Sequence, residues 1–130
     1  MKTLQQLIQV TVCVWAISAA VLPATVHAHG GAKARHGGIA QMAHDLEFEL
    51  VAQPDAAVIY VVDHDQPLAT KGMSGKLTAL RGSQKTEAPL QEAGTNQLRA
   101  TGVKLEKGDK VVATIQSSQG KTTTVRFVVR

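Results

Sequence analysis

The sequence predicts an all-β fold: a single small β-sandwich, immunoglobulin-like, with about seven strands. Apolar and polar residues alternate with a period of two in several short segments. Turn residues recur at intervals of roughly 8–15 residues, as in all-β sandwiches and barrels. No stretch carries a sustained 3.6-residue period. A small barrel meets the same spacing.

The elements follow in order. Residues 1–28 read as a secretory signal. Lys2 gives a positive start, Leu7 to Leu22 an apolar run, and Val26-His27-Ala28 a cleavage site before His29. The run is shorter than the roughly 20 residues that span a bilayer, so cleavage leaves no membrane insertion. Residues 29–38, HGGAKARHGG, cannot bury a face and read as a flexible leader. Residues 39–130 form the domain. Leu46, Phe48 and Leu50 alternate with Glu47 and Glu49, a half-buried strand with a wet face. Gln53-Pro54-Asp55 turns the chain. Ala57 to Val62 is apolar on both faces, as in a central strand. Leu77 to Arg81, Glu87 to Glu92, Gln97 to Ala100, Lys110 to Gln116 and Thr123 to Val129 complete the set. Pro89 opposes a helix in the second of these.

Composition excludes several chemistries. The one Cys (Cys13) and the one Trp (Trp15) lie within the signal. After cleavage the protein has no thiolate for a blue-copper site, an iron–sulfur cluster or a Cys-based zinc site. Nor can it form the disulfides common in small exported domains. Residues 29–130 hold 13 Lys/Arg and 10 Asp/Glu, and the basic residues are scattered singly. Nucleic acid is not an expected partner, because its binding calls for a clustered basic face. No G-x-S-x-G, H-E-x-x-H or phosphate loop is present, so no enzyme and no organic cofactor are expected.

The chemistry-bearing residues gather early. His29, His36, His44 and His64 all precede residue 65, with Met42, Asp45, Asp63, Asp65 and Met73 around them. Imidazole suits copper and zinc, and thioether favours Cu(I). At a cleaved terminus, His29 offers an amine and a ring nitrogen to one ion. A hairpin with a three-residue loop at Gln53–Asp55 pairs Leu50 with Val58, Phe48 with Tyr60 and Leu46 with Val62. That register makes His44 and His64 cross-strand neighbours about 5 Å apart, with Met42 on the same face. The expected ligand set for a copper or zinc ion is therefore His29, His36, Met42, His44, Asp63, His64 and Asp65. The ordinary alternative is that His44 and His64 are solvated strand-end groups.

Several short pieces occur in order: His36-Gly37-Gly38, Glu49-Leu50-Val51 with Pro54-Asp55, and Ile59-Tyr60-Val61 before Asp63-His64. Gly75-Lys76-Leu77-Thr78, Gly102-Val103-Lys104-Leu105 and Val125-Arg126-Phe127 follow. In these the chain resembles small exported proteins of Gram-negative bacteria associated with heavy-metal efflux and resistance. The His-Gly-Gly start is similar to that of periplasmic adaptor subunits of metal-exporting tripartite pumps. The resemblance implies a periplasmic metal-binding accessory, a buffer or carrier for an efflux system, with such an adaptor as partner. The second expectation is a structural or protein-interaction β-domain of the cell envelope with no metal of its own.

Overall fold

Two-residue turns organise the first half of this chain. His44-Asp45, Pro54-Asp55 and His64-Asp65 each join antiparallel neighbours. In the computed structural model, residues 31–130 are described; the expected signal segment and His29 lie outside the described residues. The strands are β1 (Ile39–Ala43), β2 (Leu46–Gln53), β3 (Ala56–Asp63), β4 (Gln66–Pro67), β5 (Ser74–Arg81), β6 (Gln84–Glu92), β7 (Gln97–Thr101), β8 (Lys110–Gln116) and β9 (Thr122–Val128). They hold 59% of the described residues, which contain no helix. Accordingly, no helix among them is long and apolar enough to cross a membrane.

The class is all β, as expected, but with nine strands rather than seven. All strands are antiparallel and follow one path, β1-β2-β3-β7-β6-β5-β8-β9, with β4 paired to β3. The path curls until β1 lies beside β9, so the sheet is nearly closed into a barrel. Strand β6 makes the corner, pairing with β5 as far as Leu90 and with β7 only at Gln91 and Glu92. Pro89 therefore sits where β6 has a partner on one side only, the situation in which a strand tolerates a missing N–H.

The core forms from the inward half of each alternation. Phe48, Leu50, Ile59, Val61, Leu77, Leu98, Val111 and Phe127 are all buried within it. Each such side chain contributes about 2 kcal/mol by leaving water. The loop after β7 adds Val103 and Leu105, and closes on a charged clamp. Asp109 is 3% exposed. Its two oxygens accept hydrogen bonds from Arg81 Nε (2.9 Å) and Nη2 (2.7 Å), and one also accepts the Glu106 N–H (2.8 Å). The Arg81 guanidinium holds the Asp109 carboxyl down to about 2, against the opposing effect of burial.

The β2–β3 register departs from the expected one by a single residue. The connecting turn is Pro54-Asp55, two residues rather than three, so Phe48 faces Val61, Leu50 faces Ile59 and Leu46 faces Asp63. A one-residue slip exchanges the faces of a strand. Strand β3 hid the difference because its residues are apolar on both sides. The chain also reverses at His44-Asp45 to make β1, where the expected register ran β2 straight on through His44. His44 and His64 are thus turn residues, not rungs of the β2–β3 ladder.

Candidate functional site

Leu46 opposite Asp63 is the last β2–β3 rung. Just beyond it the chain turns away on both sides, at His44-Asp45 and at His64-Asp65. Both turns carry backbone in the left-handed region: φ is 55° at His44, 45° at His64 and 64° at Asp65. Every other positive-φ residue among those described is glycine. Glycine is the natural occupant, because a Cβ there crowds the backbone. A sequence that places histidine in both turns accepts a local cost, and such costs concentrate at functional positions.

The two histidines lie at the same end of the barrel, in neighbouring turns. Both line a depression of about 300 Å³ whose floor is Phe48, Val61 and Ile115 and whose side includes Met73. Both also line a second, outer depression with Met42, Asp65 and Gly31. The His64 side chain is 86% exposed, and its Nδ1 is hydrogen-bonded to Asp63 Oδ1. Carboxylate contact at one ring nitrogen orients the ring and leaves Nε2 to meet a ligand. Met42 is 48% exposed on β1. Asp65 accepts from Arg35 Nη2 at 2.7 Å, and Arg35 also pairs with Glu47.

His36 is held elsewhere and lines neither depression. Its Nδ1 lies 2.8 Å from Glu49 Oε2, and its ring stacks on Tyr60 with centroids 3.6 Å apart. Glu49 was expected on a wet face, yet it is 3% exposed. It accepts the backbone N–H groups of Arg35, His36 and Gly38 at 2.7–2.9 Å. Burial pushes the Glu49 carboxyl up, but these hydrogen bonds outweigh it and hold the group below its ordinary value. Gly38 makes the approach possible, since a Cβ there would sit 2.2 Å from the Leu50 carbonyl oxygen. The end of the segment read as a flexible leader is thus fastened across β2 and β3, and it leads back to Gly31 at the outer depression.

The structure therefore brings together Met42, His44, Asp63, His64 and Asp65, and sets His36 apart; His29 lies outside the described residues. No three His, Cys, Asp or Glu side chains converge as a metal-binding group among the described residues. The two turn histidines share both depressions, with Met73 lining one and Met42 the other. Sequence reasoning did not assign roles to Glu49 or Tyr60, and it named Met73 beside the histidines without placing it in the ligand set. The one available signal for the first two was that His36-Gly37-Gly38, Glu49 and Tyr60 all fall in the pieces that carry the resemblance. Comparison with family models finds no match, and curated proteins and solved structures give none either.

Proposed function

We propose that the protein is a periplasmic metal-binding accessory, a buffer or carrier serving a heavy-metal efflux system, with a pump adaptor as its partner. One observation carries this reading: two adjacent tight turns each present a histidine where glycine would be easier, and both histidines face the same depressions. Two neutral imidazoles can hold copper or zinc. Asp63 orients the His64 ring for that task. After cleavage the new terminus would lie two residues before Gly31, which itself lines the outer depression. Two extended residues reach about 7 Å, so the His29 amine and ring are candidates for completing the shell. Binding competes with protons for the same nitrogens and weakens in acid.

The test is titration of the purified protein with Cu(II) and Zn(II), alongside His44→Gly, His64→Gly and the double variant. Glycine suits both turns, so the fold is retained. If the histidines share one ion, each single variant loses most of the affinity and the double loses little more. Parental affinity in the double variant would overturn the reading. The metal-free envelope domain is the second reading. It is favoured by the outer face of β5, β8 and β9, where exposed Val128 stands beside Lys110 and Val112 beside Arg126.

A further inference from the structure

The third wall of the inner depression is a thioether. Met73 ends the loop that joins β4 to β5, and it packs half-buried against the core. That loop is tied down on both sides of the methionine's turn. Thr70 is fully buried; its N–H donates to the Thr95 carbonyl and its hydroxyl to the Gln97 carbonyl, both at 3.0 Å. The Gly72 N–H donates to Glu92 Oε1 at 2.6 Å, and the Met73 N–H closes the turn on the Thr70 carbonyl at 2.9 Å. A flexible apolar side chain is thereby presented from a fixed backbone, at the rim shared by His44 and His64.

We infer that this depression is a site for a soft monovalent cation, Cu(I), held by the imidazoles of His44 and His64 and the thioether of Met73. The inference rests on the reading of the two histidines as metal ligands and adds the donor and the oxidation state. Two features favour it. Thioether is a soft donor that selects Cu(I) over harder divalent ions. The floor of Phe48, Val61 and Ile115 is apolar, which penalises a doubly charged ion more than a singly charged one. The ion is bound and released as Cu(I), with no electron transferred.

The probe is Cu(I) itself, titrated without oxygen against a coloured Cu(I) chelator. The protein is the full chain carrying Cys13→Ser, so that its only sulfur donors are methionines. The variants are Met73→Leu, Met42→Leu and His44→Gly/His64→Gly. Leucine replaces methionine at nearly equal volume and keeps the fold. Met73→Leu should weaken Cu(I) at least about tenfold while leaving Zn(II) affinity unchanged, since zinc draws little from a thioether. In the parent, with methionine methyls labelled for NMR, Cu(I) should shift the Met73 methyl and leave the Met42 methyl in place. Unchanged Cu(I) affinity in Met73→Leu, with loss in the histidine variant, would overturn the thioether assignment and leave the histidine pair standing. A larger loss in Met42→Leu would overturn it as well, moving the soft donor to the outer depression. No Cu(I) and no Zn(II) binding by the parent would remove both readings together.

Discussion

At the scale of single residues, the turn histidines and the Asp109 clamp make opposite kinds of contribution. His44 and His64 sit in left-handed backbone without a glycine's freedom. Replacing either by glycine relieves backbone crowding but adds entropy to the unfolded chain, two effects of about 1 kcal/mol each that oppose one another. The expected outcome is an unfolding free energy in urea within about 1 kcal/mol of the parent's. A drop of several kcal/mol would mean that the histidines serve the fold instead. Asp109 works through its charge. Its pKa is depressed from 3.8 to about 2, so its contribution is complete above the unfolded value and is lost as pH falls through the folded one. Asp109→Asn should cost about 2 kcal/mol at neutral pH, as for hydrogen bonds to charged groups. Urea titrations of the two proteins should converge between pH 4 and pH 2, where the parent loses the same charge.

At the scale of elements, the strands were legible and their covering was not. Alternation in Leu46 to Leu50 and in Thr123 to Val129 locates β2 and β9 because one face of each is core. The same alternation marks Glu49 as facing away from the core, which is correct, but says nothing of what lies over it. Four glycines in residues 29–38 argue against a buried side-chain face. The segment binds instead through its backbone N–H groups, which every residue but proline has and no composition records. Strand β1 escaped notice because Ile39-Ala40-Gln41-Met42-Ala43 is short and weakly patterned. The histidine pair was legible as a cluster, while its geometry was not, since β3 is apolar on both faces and only the length of the Pro54-Asp55 turn sets the register. The covering can be tested. Gly38→Ala forces a Cβ against the Leu50 carbonyl and should destabilise by about 2 kcal/mol in urea unfolding. Glu49→Gln removes the charge that gathers three N–H groups, and amide exchange at Arg35, His36 and Gly38 should speed up by about tenfold or more while β8 is unaffected. Equal protection in both proteins would show that the Tyr60 stack and the Arg35 ion pairs hold the segment.

At the scale of the whole molecule, the proposed export makes an optical prediction. Protein recovered from the periplasm should show no indole fluorescence, because the proposed cleavage removes Trp15; strong tryptophan emission from that fraction would contradict cleavage before His29. The barrel meanwhile has a seam, where β1 and β9 close the path, and a shared groove there is lined by Gly38 and Ile39 on one side and by Val129 and Arg130 on the other. The entry to the folded domain and its exit are therefore neighbours, at the edge of the sheet rather than at opposite poles. A chain with this layout can be spliced into a loop of another protein without being torn open, because the host sees two ends close together. It can equally be re-ended: joining residue 130 to residue 31 through a glycine linker, so that Arg35 and His36 keep their contacts, and opening the Gly82-Ser83 turn should give a circular permutant with the same sheet. The two histidine turns would ride along unaltered, as cargo on a cassette.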